Sequence, residues 1–117
     1  AFQIADDVLD YVSDAGTLGK NIGDDLAEGK PTLPLIIAIS RSDAAQADRL
    51  KRAIQAGGLD ALDEVLAAIR STGALEASRD HARGYAQSAR AALAALPASD
   101  ARAALGVLAD YAIDRTR

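Results

Sequence analysis

An all-α fold, an antiparallel helix bundle, is predicted by three observations. Every periodic stretch repeats its apolar residues at helical spacing, clusters of β-branched residues are sparse, and alanine, the strongest helix former, is abundant. The 117 residues suit one domain, and a hydrophobic share of 50% supplies enough apolar surface for a core.

The spacing predicts helices over 1–13, 33–40, 43–56, 59–72, 74–96 and 100–115. In the first, at 100° per residue, Phe2, Ile4, Ala5, Val8, Leu9 and Val12 share one side. Gln3, Asp6, Asp7, Asp10 and Asp14 fall within an arc of about 100° on the other. The pattern already runs at Ala1 with no capping residue before it, and the chain holds no methionine. A segment of a longer protein is expected. The next stretch, "DAGTLGKNIGDDLAEGKP", has no helical period, and a loop of that length in a helical domain is usually functional or disordered. The run "LPLIIAI" makes a short apolar helix, far too short to span a bilayer. Ser42 or Asp43 caps the start of the helix over 43–56, and Gly57 with Gly58 ends it. Gly73 suits the position just past the helix over 59–72. Over 74–96 Leu75, Ala82, Ala86, Ala89 and Leu93 form a stripe opposite Glu76, Asp80, Arg83 and Gln87. Pro97 and Ser99 then separate the last helix.

Composition bounds the function. The net charge is −4 and no basic face is evident, which argues against a nucleic-acid partner. An acidic chain recruits phosphate through local lysines or through metal ions. The absence of cysteine excludes disulfides, thiolate metal sites and a cysteine nucleophile, and it fits a reducing compartment such as the cytoplasm. Neither a signal-peptide pattern nor a transmembrane segment is present in the sequence.

The acids of the first helix raise the central question. Asp6 and Asp10 are one turn apart, and Asp7 and Asp10 are three residues apart. Like charges so placed repel by ~0.2–0.5 kcal/mol per pair. A divalent cation relieves such a cluster, and Mg²⁺ takes one or two carboxylates together with waters and substrate phosphate oxygens. A plain solvated acidic face is the competing reading. The loop adds Lys20 and Lys30, compact cations suited to phosphate, among Gly16, Gly19, Gly23 and Gly29, with Asp24 and Asp25 as further oxygen donors. Acids, lysines and a glycine-rich connector together suggest a metal-diphosphate site. A phosphate-binding P-loop would need glycine at Asp14 and Ser or Thr at Asn21, and the ligand pattern of an EF-hand is not matched after Asp10.

"FQIADDVLD" fits the second aspartate-rich motif, FQxxDDxxD, of the trans-isoprenyl diphosphate synthases. "LGKNIGDDLAEGKPTLPLI" resembles the segment that follows it in long-chain, octaprenyl-type members. The resemblance is contiguous over residues 1–37. Beyond them it is one of helical layout, including an ending at "DRTR". It implies the C-terminal part of the isoprenoid synthase fold and a prenyltransferase in which an allylic diphosphate ionises and isopentenyl diphosphate adds five carbons. On this resemblance Asp6 binds Mg²⁺, Asp10 supports the same site directly or through water, and Asp7 helps from behind. Lys20 and Lys30 contact the allylic diphosphate, Asp25 serves a lysine or the metal, Gln3 lies near the allylic end, and Phe2 lies near the isopentenyl site. The catalytic set is then Asp6, Asp7, Asp10 and Lys20. Pro31 stiffens the loop exit or merely ends it before a helix.

The family's first aspartate-rich motif, its arginine pair and its isopentenyl diphosphate pocket have no counterpart in these residues, so the chain alone is expected to be inactive. Helix 1 and the "LPLIIAI" helix are expected to expose apolar surface, and the fragment to form a homodimer or higher oligomer. His81 is expected at the edge of the apolar stripe, Tyr11, Tyr85 and Tyr111 at the core boundary, and Arg115 and Arg117 in a charged tail. Two other readings remain at this point. One is a non-enzymatic helical interaction module with a solvated acidic face. The other is a terpene cyclase, which the paired lysines and "GDDLAEGKPTLPL" fit less well.

Overall fold

The computed structural model describes residues 1–12, 23–57 and 60–114. Seven helices occur among them: α1 (Phe2–Val12), α2 (Asp24–Ala27), α3 (Leu33–Ser40), α4 (Ala44–Ala56), α5 (Leu62–Ser71), α6 (Ala74–Leu93) and α7 (Asp100–Asp114). No strand occurs among the described residues, as the helical periodicity predicts.

The ends follow local chemistry. Asp43, rather than Ser42, caps α4, its carboxylate accepting the Gln46 N–H at 2.8 Å. The Ser42 hydroxyl instead donates to the Ala38 carbonyl. Gly73 has φ +68°, the left-handed conformation that ends α5. Arg41 Nη1 adds a hydrogen bond to the Thr72 carbonyl there. The helix expected over 74–96 stops at Leu93, and residues 94–96 close in a tighter turn in which the Ala95 and Leu96 N–H groups reach back three residues.

The core lies around α3. Leu35, Ile37 and Ala38 pack with Tyr11 of α1, Leu26 of α2, Leu50 of α4, Val65, Ala68 and Ile69 of α5, and Ala74 of α6. α6 and α7 run antiparallel, since Arg90 meets Gly106 and Asp110 while Arg102, nearer the start of α7, donates to the Leu96 carbonyl. The molecule measures 52 × 32 × 20 Å, and 20 Å is about two helix diameters. Such a thin slab cannot bury both sides of every helix. Phe2, Ile36, Leu105, Val107, Leu108 and Tyr111 are accordingly exposed.

Two expectations about α6 and the tyrosines are corrected. The buried line of α6 is Ala74, Ser78, Ala82 and Ala86, at a spacing of four, and Ala89 is exposed. These small residues let α1 come close, and Ser78 satisfies its buried hydroxyl on the Ala74 carbonyl. Tyr11 is fully inside the core, whereas Tyr85 and Tyr111 are 60% and 64% exposed because the slab offers them no second layer. His81 faces solvent. Arg115 and Arg117 lie outside the described residues.

The expected long loop is not wholly irregular. Gly23 (φ +88°) and Gly29 (φ +72°) bracket the single turn of α2, and Leu26 anchors it in the core. A Cβ on Gly29 would meet the Ile54 carbonyl at 3.1 Å, and one on Gly57 would meet the Ala27 carbonyl at 3.2 Å. The two glycines thus let this turn and the end of α4 approach backbone to backbone. Gly29→Ala should therefore destabilise the chain by at least ~1–2 kcal/mol, the cost of forcing an L-residue left-handed. Gly84→Ala, where a Cβ meets nothing within 4 Å on α6, should stabilise by up to ~1 kcal/mol. Denaturant midpoints that move in the same direction for both variants would refute this account.

Candidate functional site

The acidic side of α1 is not a solvated face. Residues 23–32 fold back over it, so that Asp7 and Asp10 are only 7% and 1% exposed, as is Asp25 at 5%, while Phe2 from the apolar side is 56% exposed. The returning segment, not water, covers the acids, and the expectation that helix 1 exposes its apolar side is corrected as well: Ala5, Val8 and Leu9 are buried and only its ends, Phe2 and Val12, stand out. Asp6 stays half-buried at the margin of this cover.

Asp10 makes the join. Its carbonyl accepts the Gly23 N–H at 3.1 Å, and its Oδ2 accepts the Asp25 N–H at 3.2 Å. That carboxylate therefore serves the first turn of α2, where Gly23 has no side chain to offer. One residue on, the buried Tyr11 hydroxyl lies 3.2 Å from Thr32 Oγ1. Adjacent residues of α1 thus hold both ends of the segment that carries Lys30.

Lys30 closes the cluster. Its half-exposed ammonium lies 3.6 Å from Asp7 Oδ1 and 3.7 Å from Asp25 Oδ1. Gln3 Nε2 donates to the same Asp7 oxygen at 3.0 Å. The Asp25 carboxylate, followed by Asp7 and then Asp6, raises the Lys30 pKa above its ordinary value, with partial desolvation opposing. Lys30 is therefore a fixed positive charge at neutral pH. Of the candidate residues, Gln3, Asp6, Asp7, Asp10, Asp25 and Lys30 come together here. Phe2 sits one turn before Asp6 on α1. Lys20 lies outside the described residues. Among the described residues, no group of three or more acids or histidines is arranged as a ready-made metal cage.

A separate cavity of about 460 Å³ opens between α1, α6 and α7 on the Ala5 side of α1. Ala5 and Asp7 are two residues apart, hence on nearly opposite sides of the helix. The cavity's arginines are already engaged: Arg79 with Glu76, Arg83 with Glu76 and Asp80, and Arg90 with Asp110. It is remote from the carboxylate–lysine cluster.

Against known proteins, a family model described as polyprenyl synthetase matches residues 1–71. The chain belongs to the polyprenyl synthetase family. An all-trans-nonaprenyl-diphosphate synthase (geranyl-diphosphate specific) of Rhodobacter capsulatus is 50% identical over 115 residues, 98% of this chain and 35% of that protein. Octaprenyl diphosphate synthase of Escherichia coli is 48% identical over 118 residues, covering 100% of this chain and 36% of its own length. In three dimensions the chain is similar to a polyprenyl synthase from Caulobacter crescentus, crystallised with calcium and isoprenyl diphosphate. The TM-score is 0.84 at 47% identity, over 99% of this chain and 35% of that one. This polyprenyl synthetase segment thus spans about 35% of the length of the relatives it matches, and it has their helical fold. No helix among the described residues is long and apolar enough to cross a membrane.

Periodicity did not reveal α2 or the Tyr11–Thr32 contact. The bracketing glycines of "GDDLAEG", with acids in the first turn and an apolar Leu26 inside, were the available signal for α2. Burial lifts the Tyr11 hydroxyl from 10.0 to about 12; the Thr32 hydrogen bond opposes the rise, and Asp10, Asp25 and Asp7 add to it. Below pH 10 both folded and unfolded chains keep this proton. Between pH 10 and about 12 only the folded chain does, so the unfolded state binds fewer protons and stability falls as pH rises through that window. Tyr11→Phe should remove this component, on the order of 2 kcal/mol, together with the last step of the tyrosinate absorbance titration. An alkaline titration identical in parent and variant would contradict the assignment.

Proposed function

We propose that these residues form the part of a trans-polyprenyl diphosphate synthase that grips the diphosphate of the allylic substrate. The complete enzyme would condense that substrate with isopentenyl diphosphate into a long-chain all-trans-polyprenyl diphosphate for quinone side chains. The observation that carries this reading is the meeting of Lys30 with Asp7 and Asp25 beside Asp6 and Asp10. Membership of the family supports it.

The donor set fits Mg²⁺. Asp6 and Asp10 are carboxylates one turn apart on one helix, the hard oxygen chemistry that this ion takes in ones and twos. When bound, Mg²⁺ neutralises the charge that grows on the departing diphosphate. In this reading Asp6 is the direct ligand, and Asp10 supports the same site while holding the turn of α2. Asp7 and Asp25 aim the Lys30 ammonium, which with Lys20 contacts the diphosphate oxygens, and Asp25 can also serve a metal-bound water. Gln3 orders Asp7 and lies near the allylic end of the substrate, with Phe2 towards the isopentenyl side. The enzyme works in the cytoplasm as a homodimer or higher oligomer.

In a full-length synthase carrying this segment, Asp6→Ala should lower Mg²⁺-dependent turnover by about two to three orders of magnitude. Under the alternative, a non-enzymatic module with an acidic face, the rate would barely change. The 117-residue chain, a third of its relatives' length, should form no polyprenyl product from allylic and isopentenyl diphosphates with Mg²⁺. Extraction of radiolabelled product from such an assay would overturn that expectation.

A further inference from the structure

We propose that the buried Tyr11–Thr32 hydrogen bond is a positioning device for Lys30, setting where its ammonium meets the substrate diphosphate. The inference rests on the diphosphate reading above and adds two residues to it. Lys30 sits in a short segment whose ends are both tied to α1. At the front the Asp10 carboxylate holds the Asp25 N–H, and at the back Tyr11 holds Thr32 across 21 residues of sequence. Between the ties, the Lys30 N–H donates to the Asp25 carbonyl at 2.9 Å and the Thr32 N–H to the Lys30 carbonyl at 3.0 Å. Movement at Thr32 is therefore transmitted directly to the lysine backbone.

Two features separate this contact from ordinary packing. Thr32 is the N-cap residue of α3, a position where a threonine hydroxyl normally serves the helix's own N–H groups, yet it makes no such bond. Its hydroxyl is given to Tyr11 instead. Both residues are nearly inaccessible, at 4% and 3%, so water cannot substitute for either partner. A lysine has a long flexible stem, and the spread of its ammonium positions narrows only if the backbone from which it starts is held. Both side chains are buried too deeply to reach a bound diphosphate themselves. They act through Lys30.

The test uses a full-length synthase containing these residues, with geranyl diphosphate as the varied substrate at saturating Mg²⁺. Tyr11→Phe keeps the ring and removes the hydroxyl. It should raise KM for geranyl diphosphate about three- to tenfold, the worth of one hydrogen bond, with kcat within about twofold. Thr32→Val should do the same, and Thr32→Ser, which retains the hydroxyl, should stay near the parent. In a Lys30→Ala background Tyr11→Phe should add no further rise. An unchanged KM in Tyr11→Phe, or a rise that persists in full without Lys30, overturns the positioning role whatever happens to thermal stability. If Lys30→Ala itself leaves KM unchanged, the diphosphate reading fails and takes this proposal with it. Should Tyr11→Phe not fold, the Thr32→Val and Thr32→Ser pair makes the same comparison.

Discussion

Three carboxylates, those of Asp7, Asp10 and Asp25, lie almost wholly out of water, two of them beside one half-exposed lysine. Burying charge is costly unless partners compensate it, so this cluster constrains everything near it. Lys30 answers two of the acids, Gln3 donates to one of them, and a backbone N–H answers the third. The residual field remains negative, as the upward shift of Lys30 beside Asp25 registers. Such a field holds a lysine charged and favours the approach of a divalent cation. A bare diphosphate would be repelled by the same acids, which is why cation and anion are best accommodated together.

The acids could not be covered without a scaffold beneath the covering segment. Leu26 supplies its apolar anchor, and the reciprocal approach of Gly29 to the Ile54 carbonyl and of Gly57 to the Ala27 carbonyl fixes its height above α4. The core around α3 is therefore more than a source of stability. It is the floor on which the lysine-bearing turn rests, and the thinness of the slab concentrates the best packing beneath the site rather than along α7.

Much of this was legible in the residues. Helical class, the Asp43 cap and the Gly73 stop follow from short-range rules, because caps, stops and 3.6-residue periods act within a few positions. The failures were of another kind. The helical wheel groups Asp7 and Asp10 on one side of α1 but cannot show what covers that side, since it has no knowledge of a segment that returns 13 residues later. Tyr85 and Tyr111 suit a core boundary by residue type, but a two-layer slab leaves them largely exposed. The buried line of α6 was shifted because alanines fit either stripe, and only the approach of α1 chooses between them. In each case tertiary cover overrode local pattern.

The locally unfavourable choices gather in one place. Like-charged acids are stacked on α1, α3 forgoes its hydroxyl cap, and a tyrosine hydroxyl is buried. Each conflicts with the rule that would maximise stability at its own position. A sequence that obeys such rules elsewhere, as at Asp43 and along the charged side of α6, concedes them where geometry matters more than stability. These concessions also share a single consequence: every one lies on α1, α2 or the link to α3, and together they determine where Lys30 stands relative to Asp6 and Asp7. Stability alone would not concentrate them there, whereas a requirement to hold one cation at a set distance from carboxylates does.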